Sequence, residues 1–162
     1  MVSALLLWIY IDKTLFIKEW WESDDQVTLI TRPRRFGKTL NMNMLERFFS
    51  LKFAEKGEVF ENLNIWKEEK YRALQGTYPV IFFSFAGVKE MEYDLAVYRL
   101  CGILQDLYIK NYYLMDSDVL TEGEKRIYKR MADDMDVKDA PMALHRLSDY
   151  LNRYFEKRSL FY

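Results

Sequence analysis

Apolar residues along this chain come in short bursts whose spacing changes from one burst to the next, and the spacing predicts the elements. Asp12-Lys13-Thr14 precedes Leu15, Phe16 and Trp20 at helical intervals, and Ser23-Asp24-Asp25 closes that stretch, so a first short helix is expected with Asp12 or Thr14 as its cap. Gln26-Val27-Thr28-Leu29-Ile30-Thr31 is short, β-branched and apolar on both faces, the pattern of a buried parallel strand. From Lys38 to Phe49 the residues Leu40, Met44, Leu45 and Phe48 share one helical face. Residues 51–77 are charged and broken by Gly57 and Gly76, with Phe60, Leu63, Ile65 and Trp66 as anchors for short helices.

A second buried strand is expected at Tyr78-Pro79-Val80-Ile81-Phe82-Phe83-Ser84-Phe85, with Pro79 tolerable at the strand's start. Leu95, Tyr98, Ile103 and Leu107 then predict a long amphipathic helix over 93–113. Thr121-Glu122-Gly123-Glu124 has the form of a capping box for a helix to about Met135, and Asp139 with Pro141 opens another to about Tyr154. Ser159-Leu160-Phe161-Tyr162 reads as the first residues of a third strand.

Composition narrows the class. With 162 residues and 50% hydrophobic content, one domain with a real core is expected. Lys and Arg number 24 against 25 Asp and Glu, so no global field draws the chain to nucleic acid or to an anionic membrane. Cys101 is the single cysteine, which excludes an internal disulfide and points to a reducing cytoplasm. The apolar run Met1 to Ile11 lacks a basic start and a small-residue cleavage site, and it is too short to span a bilayer. A buried lead-in is the expected reading.

The chemistry lies between the first strand and the second helix. A phosphate-binding loop has the form G-x-x-x-x-G-K-[ST] between a strand and a helix. Arg32-Pro33-Arg34-Arg35-Phe36-Gly37-Lys38-Thr39 supplies all of it except the leading glycine, whose place Arg32 takes. Gly37 allows close backbone approach to a phosphate, Lys38 reaches the β- and γ-phosphates, and the Thr39 hydroxyl is a Mg²⁺ ligand. The candidate nucleotide-binding residues are Arg34, Arg35, Phe36, Gly37, Lys38, Thr39 and Leu40. Backbone N–H groups of Arg35 through Thr39, together with the helix start, would bind negative charge, while Pro33 has no N–H and only shapes the bend.

Three segments carry a resemblance: Tyr10-Ile11-Asp12-Lys13-Thr14, then Thr28 to Met42, then Tyr78 to Phe85. In order and spacing they resemble the bacterial AAA-ATPase-like family, whose usual loop is Arg-Pro-Arg-Arg-Phe-Gly-Lys. Arg32 in the glycine position is then a family variant. The resemblance implies a P-loop NTPase fold with ATP and Mg²⁺ as cofactors. It also implies a strand ending in an Asp-Glu pair that holds Mg²⁺ and polarises water, and in many members a restriction-like nuclease domain further on. No apolar strand of this chain ends in Asp-Glu, since Val80 to Phe85 runs into Ala86-Gly87. Catalytic residues are therefore not identified, and nucleotide binding without appreciable hydrolysis is the expectation.

The fold class expected is α/β: a P-loop core over 1–90, with Val27 to Ile30 and Val80 to Phe85 as parallel strands flanked by helices, and a helical stretch over 91–158. The small sheet and the end after Tyr162 are read as one truncated domain wanting a C-terminal half or a nuclease domain as partner, with no membrane partner. Two alternatives stay open: a nucleic-acid module using the Arg32, Arg34, Arg35 cluster with Trp20 and Trp21 as stacking rings, and a non-functional fragment. As a partner, nucleic acid is expected only through an appended domain.

Asp12, Lys13 and Thr14 form a candidate pocket wall, and helix capping explains Asp12 and Thr14 equally well. Trp20 and Trp21 are expected to divide between core and surface. His145 reads as a partly buried structural residue, Cys101 as a core residue, and Asp133, Asp134 and Asp136 as a solvated turn.

Overall fold

The computed structural model describes residues 12–25, 27–31, 33 and 36–162. Met1 to Ile11, Gln26, Arg32, Arg34 and Arg35 lie outside the described residues, and with them the apolar lead-in and the arginine cluster. The described chain is mostly helical with one small two-stranded parallel sheet. It divides into two compact units, residues 1–77 and 78–162. No helix among the described residues is long and apolar enough to cross a membrane.

In the first unit, α1 (Leu15–Glu22) packs on a 3₁₀ segment, Asn64–Lys67, and α2 (Lys38–Phe49) packs on the 3₁₀ run Leu51–Phe60. A single helical turn, α3 (Glu69–Arg72), follows. Ile17, Leu45, Phe48, Phe49 and Ile65 are buried, and Phe48 meets Phe49 and Phe60 edge-on at 5.1 and 5.2 Å. Burial of such side chains from α2 and the 3₁₀ run is what holds the charged 51–77 stretch in place. Gly76 closes the unit: its N–H donates to the Phe48 carbonyl at 2.7 Å, its φ is +64°, and a Cβ there would meet the Ala54 Cα at 2.3 Å. Only glycine fits that approach.

Three expectations for this unit are corrected. Residues 27–31 are not a strand, and Val27 and Leu29 are 87% and 83% exposed. An apolar, β-branched segment becomes a strand only when its N–H and C=O groups find a neighbour, and none of these residues pairs with one among the described residues. The buried face of α2 is Asn41, Leu45, Phe48 and Phe49, so Leu40, 61% exposed, lies off it. Trp20 and Trp21 do not divide into one core and one surface ring. Both are half-buried against Phe49, at 5.6 and 5.2 Å.

The second unit is built on β1 (Val80–Ile81), α4 (Tyr93–Lys110), α5 (Glu122–Asp133), α6 (Ala140–Phe155) and β2 (Leu160–Phe161). The third expected strand is present: Val80 pairs with Leu160 and Ile81 with Phe161, in parallel. The Leu160 N–H donates to the Pro79 carbonyl at 2.9 Å, and the pairing extends one step as the Phe83 N–H donates to the Tyr162 carbonyl at 3.1 Å. Leu104, Leu107, Tyr108, Leu114, Tyr128, Met131, Leu147 and Leu151 form one continuous core with Ile81. Tyrosines are satisfied inside it: Tyr128 donates to the carbonyls of Tyr108 and Asn111 at 2.9 and 2.8 Å, and Tyr108 donates to that of Ala143 at 2.8 Å.

The predicted helices are found here with one shift of face. On α4 the buried residues are Cys101, Leu104, Leu107 and Tyr108, while Leu95 and Tyr98 are exposed and Ile103 is half-buried. The buried stripe begins near Leu100, which packs against the core, while Leu95 and Tyr98 of the expected apolar period stay exposed. Cys101 is buried as expected, and that burial, helped by Asp136 and Asp139, pushes its thiol pKa up. His145 differs from expectation, standing exposed on α6.

Candidate functional site

Helix α2 starts where the loop motif ends. Gly37 is its N-cap at φ +78° and ψ 17°, a left-handed conformation that costs a glycine nothing and a Cβ-bearing residue roughly 1 kcal/mol or more. The first helical bond runs from the Asn41 N–H to the Gly37 carbonyl at 2.9 Å. Lys38, Thr39 and Leu40 therefore supply the first N–H groups of the helix, which have no helical carbonyl behind them. Gly37 has no side chain to cap them, and no acid stands in the first turn. Neither the cap nor the first turn of this twelve-residue helix supplies an acid to its positive end.

Thr39 is exposed in that first turn, which leaves its hydroxyl accessible, and Phe36 and Leu40 are exposed on either side. Of the predicted nucleotide-binding residues, Phe36, Gly37, Lys38, Thr39 and Leu40 are described and contiguous, while Arg34 and Arg35 lie outside the described residues.

The Asp12-Lys13-Thr14 trio sits in the same unit and splits by side. Asp12 accepts from the Asn64 N–H at 2.7 Å and from the Thr14 N–H and hydroxyl at 2.8 and 2.7 Å. Thr14 is 1% exposed, and its hydroxyl accepts from the Ile65 N–H at 3.1 Å. Leu63, the residue that should cap the 64–67 segment, has no polar side chain to offer. Asp12 and Thr14 supply the cap from fifty positions away. Capping is thus the observed role of both residues, but the helix start that they cap is not their own. Burial alone would raise the Asp12 pKa. The Asn64 N–H, then the Thr14 hydroxyl and N–H, outweigh it and hold the carboxyl below its usual range.

Lys13, between them, is exposed and faces elsewhere. A Cβ built on Gly37 would find the Lys13 Nζ at 3.9 Å, and apart from chain neighbours it would meet nothing else within 4 Å among the described residues. The structure therefore brings Lys13 to the helix start that carries Gly37, Lys38 and Thr39. Both groups stand out in the sequence, but their meeting depends on the distant Asn64–Ile65 anchor and has no signal in local spacing.

Elsewhere, a cleft of the second unit is lined by Arg99, Asp106, Asp133 and Asp134. One cation against three carboxylates gives it the wrong sign for a polyphosphate. No group of three or more His, Cys, Asp or Glu residues among the described residues is arranged to hold a metal.

These features define a helix-rich α/β chain whose α2 begins on a glycine-lysine-threonine turn. A family model described as "Predicted AAA-ATPase" matches residues 7–157, and the chain belongs to this AAA-ATPase-like family. No curated protein and no solved structure matches the chain significantly.

Proposed function

We propose that this chain binds a nucleoside triphosphate, with ATP as the family's nucleotide, through a variant Walker A loop spanning Arg34 to Leu40. The observation that carries this reading is the Gly37-Lys38-Thr39 turn, left-handed at Gly37 and opening an uncapped helix, in a chain of the AAA-ATPase-like family. Backbone N–H groups of the first turn suit phosphate oxygens, and Lys38 adds a point charge. The exposed Thr39 hydroxyl fits a Mg²⁺ ligand, and Mg²⁺ would supply charge neutralisation along the phosphates.

The same reading assigns binding rather than turnover to these residues. Phosphoryl transfer needs a carboxylate on the metal side and a group that orients water. Val80 to Phe85 continues into Ala86-Gly87 with no acid pair.

Equilibrium titration with a fluorescent ATP analogue tests the reading. Lys38→Ala should weaken binding by roughly a hundredfold, the scale of a lost charge-assisted contact to phosphate. Thr39→Ala should reduce the gain in affinity on adding Mg²⁺. An affinity that persists unchanged in Lys38→Ala would sink the proposal, and ATP turnover by the wild-type chain at ordinary ATPase rates would sink its restriction to binding.

A further inference from the structure

Two lysines from different elements stand at the α2 start. Lys38 comes from the helix itself, and Lys13 arrives from the segment that leads into α1. The Lys13 ammonium lies beside the space that Gly37 leaves open by lacking a Cβ, the space a phosphate needs for close backbone approach. Among the described residues no carboxylate lies within ion-pair distance of it.

The approach is held in place by the backbone on both sides of Lys13. Asp12 is tied to the Asn64 N–H, Thr14 is buried and tied to the Ile65 N–H, and the Lys13 carbonyl accepts from the Phe16 N–H at 3.0 Å. Asp12 and Thr14 thus act as a clip, and the residue between them is turned outward towards Gly37. An ammonium has three donors and no acceptor, so a group that satisfies it must be an acceptor, and an anionic one best.

We propose that Lys13 is a second phosphate-binding lysine, which the Asp12–Thr14 clip holds against the Gly37 turn to select the more highly charged polyphosphate. The inference rests on the nucleotide reading above. Lys13 adds a charge from outside the loop, so its contribution grows with the charge on the ligand: largest for ATP, smaller for ADP, least for AMP. The Asp12 and Thr14 side chains position Lys13 and do not themselves meet the phosphates.

The test measures affinities of ATP, ADP and AMP, by competition against a fluorescent ATP analogue, for the wild-type chain and for Lys13→Gln, Lys13→Arg and Lys38→Ala. Lys13→Gln should weaken ATP roughly tenfold and ADP roughly threefold, leaving AMP within about twofold. Lys13→Arg, which keeps the charge, should recover most of the ATP affinity. The thermal midpoint without ligand should not move, because the side chain is exposed. If it does move, the ATP-to-ADP affinity ratio of the folded variant still decides: a ratio that falls supports the proposal, and a ratio equal to wild type overturns it. Loss of ATP binding in Lys38→Ala with none in Lys13→Gln would refute the role of Lys13 and leave the nucleotide reading standing. No nucleotide binding by the wild-type chain would overturn both.

Discussion

Helices α2 and α5 have the same length, twelve residues, and begin in opposite ways. At the start of α5 the Thr121 hydroxyl accepts from the Glu124 N–H, and the Glu124 carboxylate accepts from the Thr121 N–H at 2.8 Å. Glu122 and Glu124 place negative charge in the first turn, and Arg153 from α6 reaches Glu124 at 2.6 Å. The α2 start has a glycine in place of the threonine, a lysine in place of the acid, and a second lysine brought up to it. One helix start is completed by its own side chains and helps hold the second unit together. The other carries lysines and no acid in its first turn, an arrangement that suits an anion from outside.

The strongest way to break this contrast is to put an acid at the α2 cap. Asp tolerates a left-handed backbone better than most residues, so Gly37→Asp should fold and place a carboxylate where the phosphate would sit. Nucleotide affinity should drop by roughly a hundredfold or more, read by titration, while the thermal midpoint without ligand stays level or falls by a few degrees, as the cap offsets part of the left-handed strain.

The reverse change strips α5. Glu124→Ala removes the box and the Arg153 pair together and should cost about 1 kcal/mol, discounted for the exposure of Arg153, which lowers the midpoint by about 5 °C in a unit of this size. Any nucleotide-induced rise in the midpoint should remain as in wild type. A parallel loss of that rise would show that the two helix starts are not independent.

The acid limb of stability offers a finer test. The Arg153 guanidinium, followed by the Thr121 N–H, holds the Glu124 carboxyl down from 4.5 to about 2. A carboxyl depressed in the folded state contributes stability that is present above its unfolded pKa and lost as pH falls through its folded one. That contribution should be complete above about pH 4.5 and fade from there towards about pH 2. In Glu124→Gln the decline over that window should be shallower, measured by urea unfolding at each pH. The smallest effect belongs to Thr121→Ser, which keeps the hydroxyl acceptor and should change stability by only about a few tenths of a kcal/mol.

The two helix starts were not equally legible in the sequence. The α5 box is local: four residues, Thr121 to Glu124, name the cap, its acceptor and the first turn, and the structure contains all three. The helices of the second unit and the Ser159–Tyr162 strand were legible for the same reason, since short-range periodicity decides them. The 27–31 segment was misread because strand formation depends on a partner elsewhere in the chain, which composition does not specify. The exposure of Leu95 and Tyr98 on α4 is not legible, because periodicity marks an apolar face without saying how much of it a neighbour covers.

At the candidate site, Gly37, Lys38 and Thr39 were readable as a motif, and the helix they open was placed correctly. The way Asp12 and Thr14 cap residues 64 and 65 was not readable, because the two partners lie fifty positions apart and Leu63 carries no polar group to mark the missing cap. Lys13 was named as a pocket candidate only as a member of the trio. What separates it from its neighbours is side-chain direction, which alternates along the chain and is fixed here by that distant anchor.

The parallel pairing of β1 with β2 also sets a schedule for synthesis. Val80 meets Leu160, a partner eighty positions later. At about 5 to 20 residues per second, β1 is made roughly 4 to 16 s before the segment that pairs with it. Helices α4, α5 and α6 can form in that interval, since their contacts are with one another, but the sheet cannot. Until β2 has followed it out of the ribosome, β1 is therefore an unmated strand beside folding helices, a natural substrate for chaperones that bind extended apolar segments.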